Sequence, residues 1–198
     1  MSIISREEHT AAAGFAHGRR RDVLYRAGLV LQLLGAAVLA VLYPLESPFY
    51  TTGIMVFEAG VLVSALFLLV RMSWIKKIIM GSVLCGLAMQ VAGSFFVPEQ
   101  YAGSAIVGGI GFVCAGAAGM AGREAYCFGC REGWLLMVAG FPIMVLGNLI
   151  GKENRVFNML GFSALFLLLL SLAGKKLRQR LSASCTTGVC GPPSQNRR

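Results

Sequence analysis

Four thiols stand in two close pairs, Cys127-x2-Cys130 and Cys185-x4-Cys190. Thiolates in sets of four are the donors that tetrahedral zinc and iron–sulfur centres take, so these pairs are candidate ligands for either. The first pair lies in GREAYCFGCREGW, Gly122 to Trp134, with Arg123 and Glu124 ahead of it and Arg131 and Glu132 behind. Arginines favour the thiolate and glutamates oppose it, which makes thiol–disulfide exchange a second chemistry for the same residues. A metal site would require the tail to fold back across a loop of more than fifty residues, at an entropic cost. The third reading is therefore incidental thiols in a loop whose charged residues dock a partner. The motifs establish no cofactor, and the expected protein is non-enzymatic, with permease and thiol oxidoreductase as the alternatives.

A second kind of chemistry sits inside the apolar runs. Glu58 is an ionisable group about 9 Å below the outer end of its helix at ~1.5 Å per residue, too deep for so short a side chain to reach water. Gln90 falls at a similar depth, which predicts a contact between them. The pair reads either as a protonatable carboxyl in a transport path or as a protonated acid that ties two helices together. Cys85 and Cys114, with Met89 one turn from Cys85, offer soft sulfur at comparable depths, although both residue types also pack as ordinary apolar groups. Haem is disfavoured, because His9 and His17 are the only histidines and both precede the apolar region.

The elements that must position these groups are membrane helices. The chain is 56% hydrophobic and 14% charged with mean hydropathy +0.69, where soluble domains carry about 25% charged residues. Apolar stretches near the ~20 residues needed to cross a hydrocarbon core recur six times: Ala27–Tyr43, Thr52–Val70, Ile78–Val97, Tyr101–Ala121, Trp134–Ile150 and Val156–Ala173. None alternates in polarity as a membrane β-strand does, which excludes a barrel. The fold class is all-α, a polytopic bundle of six transmembrane helices.

The net charge of +9 is not a nucleic-acid footprint, because its distribution follows the spans. Sixteen of eighteen Lys and Arg fall on one side of a six-span chain, and Lys152 and Arg155 fall on the other. The positive-inside rule then places both termini and the 122–134 loop in the cytoplasm, a reducing compartment where structural disulfides are rare. Three regions follow: a polar arm over 1–22, the six-helix domain over 23–174, and a basic cysteine-containing tail over 175–198. Arg19-Arg20-Arg21 ahead of an apolar run, with Val38-Leu39-Ala40 beyond, also fits a secretory signal. The apolar run continues to Tyr43, which favours a permanent first helix.

Several further features have structural readings. Arg71, Trp74, Lys76 and Lys77 make an interfacial belt, and the basic cluster from Lys175 to Arg180 should attract anionic lipid headgroups. Gly111, Ala115 and Gly119 share a small face that lets helix four pack closely at the centre of the bundle. Pro142 deprives the carbonyl of Val138 of its helical partner, so a kink or local pocket is expected in helix five. Asn148 and Asn158 are expected near the outer interface, with water as partner.

The segment GREAYCFG at 122–129, with its glycine-ended fourth helix, Glu124, Cys127 and Phe128, resembles a family of integral membrane proteins of unknown activity found in cyanobacteria and other bacteria. The resemblance covers the six-helix region. It implies a multi-pass protein of the bacterial inner membrane and carries over no catalytic residue. Cys130 and the Cys185/Cys190 pair are not features of that family in general.

Overall fold

In the computed structural model the chain is described over residues 4–46, 49–68, 73–128, 131–150 and 154–178, and side chains over 20–46, 49–68, 73–126, 131–146 and 154–178. Helices follow the six apolar stretches in order: α1 (Ile4–Leu42), α2 (Tyr50–Leu66), α3 (Ser73–Phe95), α4 (Glu99–Phe128), a broken fifth rod and α7 (Arg155–Arg178). The fifth rod consists of α5 (Arg131–Leu135), a π-helical segment over Leu136–Gly140, and α6 (Phe141–Ile150). No strand occurs among the described residues.

Four helical stretches are by themselves long and apolar enough to cross a membrane, namely Arg20–Leu42, Ser73–Phe95, Glu99–Tyr126 and Arg155–Arg178. α2 is apolar but has only 17 residues. The fifth rod reaches about 30 Å only when its three pieces are added together.

Two hairpins form the frame, α1 with α2 and α3 with α4. Glycine makes both close. A Cβ on Gly35 would stand 2.4 Å from the backbone nitrogen of Phe57, so α1 can lie against α2 only without a side chain there. In the other hairpin a Cβ on Gly86 would stand 2.5 Å from the carbonyl oxygen of Gly109. Close backbone approach replaces the hydrophobic drive that lipid cannot supply between helices. The small face expected on α4 is divided between neighbours: Gly111 faces Val145 of α6, and Gly119 faces Ile79 of α3. α4 also touches α2 and α5, which makes it the central element.

Polar side chains join α1 to α2 in the interior. Gln32 of α1 donates to Ser64 Oγ at 2.9 Å and to the carbonyl of Gly60 at 3.3 Å, both on α2. The outer surface carries Leu34, Met55, Leu84, Val138, Leu160 and Leu167, all exposed and drawn from every rod except α4, which adds Phe112. So wide an apolar outer surface is the arrangement that lipid requires.

Two expectations change in outline. Helix α1 begins at Ile4, so the arm expected over 1–22 is helical backbone continuous with the first span from that residue on. The loop expected over 122–134 is mostly helix, since α4 runs to Phe128 and α5 starts at Arg131. The reason lies in Glu124, which is not a loop residue reaching solvent but a buried one held by two neighbouring helices.

Candidate functional site

Glu58 sits two turns into α2 and is 6% exposed. Gln90, on α3, donates its amide to Glu58 Oε1 at 2.5 Å. The matching depth read from the sequence is thus a direct hydrogen bond. Among the described residues Gln90 is the one hydrogen-bond partner of Glu58, which leaves Oε2 without a protein donor.

That carboxyl lines a cavity of about 390 Å³ in the middle of the bundle, walled by α1, α2, α4, α6 and α7. Leu39, Ile54, Ile106, Val113 and Leu165 make most of an aliphatic wall, and Tyr43, Tyr50, Phe57, Phe141 and Phe162 add aromatic rings. Phe57 and Phe141 face each other at 6.4 Å between centroids, and Tyr43 meets Phe162 edge-on at 5.1 Å. Thr51 of α2, Cys114 of α4 and Asn158 of α7 complete the polar part of the lining.

The broken fifth rod puts Phe141 on that wall. Pro142 has no N–H, so Val138 loses its usual acceptor role, and the helix answers one residue earlier with a π turn in which Phe141 N–H bonds to Leu136 O. The kink or pocket expected at Pro142 takes this form. Asn158 departs from expectation: it is buried rather than interfacial, and its amide donates to the Tyr43 hydroxyl at 3.0 Å. Asn154 caps α7 one turn earlier, its Oδ1 accepting from Phe157 N–H at 3.2 Å.

At the outer end α7 meets the turn after α1. Arg155 donates to the carbonyl of Pro44 at 2.9 Å and pairs with Glu46, which is held at φ 53°, in the left-handed region. The Asn158–Tyr43 bond lies beneath these contacts.

A separate polar cluster ties helices together at the basic end. Glu124 is 1% exposed; Tyr25 donates to its Oε1 at 3.0 Å, Lys176 pairs with its Oε2 at 2.8 Å, and Arg123 reaches Oε1 at 3.3 Å. One carboxylate therefore joins α1, α4 and α7. Lys176 also stands 5.7 Å over the Tyr25 ring. Nearby, Glu132 accepts from Lys175 at 2.5 Å and from Ser171 at 3.2 Å. The hydrogen bond from Lys175 is the main reason its carboxyl lies below the usual carboxylate range.

The sequence-predicted residues thus separate. Glu58 and Gln90 meet at the cavity. Arg123 and Glu124 belong to the cluster at the basic end, as does Glu132 beside it, while Arg131 lies exposed at the start of α5. Cys130, Cys185 and Cys190 lie outside the described residues, and the side chain of Cys127 lies outside the described side chains. Cys114 is buried on the cavity wall, whereas Cys85 is exposed on α3. No group of three metal-ligating residues occurs among the described residues. Sequence reasoning missed Gln32, Ser64 and the buried role of Asn158. For Gln32 a signal existed, since it lies three and four residues from Gly35 and Gly28 on the same small face.

A family model described as an uncharacterized integral membrane protein (DUF2301) matches residues 64–186. That stretch holds Gln90, Cys114, Glu124 and Lys176 and begins six residues after Glu58. No curated protein and no solved structure matches the chain.

Proposed function

The chain belongs to the DUF2301 family of integral membrane proteins, and from that footing we propose that it is a small permease whose binding chamber is the cavity at Glu58. The observation that carries this reading is a buried carboxyl with one free oxygen on the wall of a drug-sized intramembrane cavity. Ligand pockets of about 300–1,000 Å³, mostly apolar with few polar groups, are the common form of small-molecule sites. An acid inside a membrane bundle that only tied two helices together would be satisfied on both sides and would face no space. The π segment beside the chamber supports the same reading, because single π turns inside helices are frequent at functional sites.

The basic end of the bundle faces the cytoplasm by the positive-inside rule, and the family resemblance of GREAYCFG supports a bacterial inner membrane. A cytoplasmic metal or partner site at Cys127, Cys130, Cys185 and Cys190 rests on groups beyond the described side chains, so the chamber takes precedence.

The test is access. Dicyclohexylcarbodiimide, which dissolves in lipid and reacts with protonated carboxyls, should modify Glu58 in the reconstituted protein, and Glu58→Gln should abolish the modification. A permease must also open to each side in turn. A permanently charged, membrane-impermeant carbodiimide should therefore modify Glu58 from either face of sealed, oriented vesicles. Lack of modification by the lipid-soluble reagent in a folded protein rules out an accessible chamber, and modification from one face only rules out a permease.

A further inference from the structure

Building on the permease reading, we infer that the substrate is a lipophilic monocation, an ammonium or phosphonium bearing aryl or alkyl groups, and that it exchanges for the proton of Glu58. Charge decides the sign. Among the described residues Glu58 is the one carboxyl on the wall, and no described Lys, Arg or His lines the cavity. An anion would enter beside a carboxyl with no countercharge, and a charge buried without a partner is the most expensive arrangement in a low-dielectric site. A polar neutral molecule fares little better, because beyond Thr51 the Asn158 amide is engaged by Tyr43 and most of the wall is hydrocarbon.

Shape points the same way. Tyr43, Tyr50, Phe57, Phe141 and Phe162 present rings to the cavity that holds Glu58. Ring faces attract a cation when water is excluded, and they stack on aryl groups. A diffuse cation needs no hydrogen-bond donors from the wall, which has few to offer.

The exchange balances in atoms and charge. In the empty chamber the proton sits on Glu58 Oε2, with Gln90 donating to Oε1. When the cation arrives, the O–H bond breaks, the proton passes to water on the side from which the cation came, and the carboxylate keeps the cation by ion pairing. The chamber's net charge is unchanged across the step, so neither state leaves a bare charge buried. Among the described residues the other titratable groups on the wall with Glu58 are Cys114 from α4 and the phenols Tyr43 and Tyr50; the described part of α6 contributes none, α7 contributes the Asn158 amide, and α3 contributes Gln90.

The experiment uses the full chain in lipid nanodiscs, with tetraphenylphosphonium as the probe and its neutral analogue triphenylphosphine oxide as the comparison. The expected result is binding that strengthens up to tenfold per pH unit in the range where Glu58 holds its proton, with one proton released per cation in weakly buffered solution. Glu58→Gln should weaken binding at least tenfold and remove the proton release. If that variant does not fold, Glu58→Asp should keep proton release while shifting its pH range. Tetraphenylphosphonium binding that releases no proton, or that survives Glu58→Gln in a folded protein, overturns the exchange. If triphenylphosphine oxide shields Glu58 from carbodiimide and tetraphenylphosphonium does not, the cation class is wrong while the chamber stands. If Glu58 is unreactive without either compound, the permease reading falls as well.

Discussion

Three glutamates in this bundle meet the same problem, a carboxyl drawn away from water, with different partners. Glu58 has an amide, Glu124 has a lysine, an arginine and a phenol, and Glu132 has a lysine and a serine nearer the surface. Glu132 is the one whose titration bears on stability outside the membrane. Its carboxyl is held below its usual value chiefly by the Lys175 hydrogen bond, so its contribution is fully present above the unfolded value of about 4.3 and is lost as pH falls through the lower folded value. Lys175→Gln should therefore cost little more than the about 0.2–1 kcal/mol of a partly exposed pair near neutral pH, and the loss should vanish once both forms are protonated. Thermal unfolding of both proteins in detergent across pH 3 to 7 checks this. A difference that persists unchanged at the acid end would mean that Lys175 acts through packing and not through charge. Sequence alone carried Glu58 and Gln90 as a pair, because a lone acid and a lone amide at one depth have few other partners. It could not carry Glu124, since Arg123 beside it suggested a solvated loop, while Lys176, the partner that buries it, lies 52 residues away.

At the level of elements, the hairpins depend on missing side chains and the basic end depends on one carboxylate. Gly35→Ala places a Cβ against the backbone of Phe57, which cannot yield as a flexible side chain would, so α1 and α2 must part. The expected loss is about 1–3 kcal/mol, as for other overpacked interiors, and it should also displace Phe57 from the chamber wall. Gly103→Ala is the control, because nothing lies within 4 Å of a Cβ there and its effect should be near zero. Equal melting temperatures for the two variants would remove the close-packed hairpin from the account. Breaking the Glu124–Lys176 pair leaves a carboxylate in the interior, and Lys176→Met should cost the lower part of about 3–5 kcal/mol, since Arg123 remains within reach. Adding Glu124→Gln removes the stranded charge and should return most of that loss; a double variant no more stable than the single one would show that the ion pair is not what joins α1, α4 and α7. Helix number and order were legible because hydrocarbon thickness sets a length that sequence displays directly. The π segment was legible only as a disturbance at Pro142, because the choice between a kink and a re-registered turn depends on what Phe141 packs against.

For the molecule as a whole, the described basic residues gather at one end and the turn after α1 lies at the other. Arg155 is the exception among them, standing at the outer end, where it pairs with Glu46 and the carbonyl of Pro44. Both side chains are more than half exposed, so the ion pair itself adds at most about 1 kcal/mol and is screened by salt. Its consequence for access is larger than for stability. A latch worth about 1 kcal/mol changes the population of an opened outer end by roughly fivefold, while the same energy is a small part of what holds six packed rods together. Arg155→Gln should thus raise the rate at which an impermeant carbodiimide reaches Glu58 from the outer face by about that factor. Wild-type protein at high salt should move toward the same rate, because screening weakens the same contact. Modification from the basic face should not change, since the contacts of Arg155 lie at the other end. An unchanged outer-face rate in the Arg155 variant would mean that the Asn158–Tyr43 bond beneath it is the barrier, and Asn158→Leu would then be the substitution that opens the chamber.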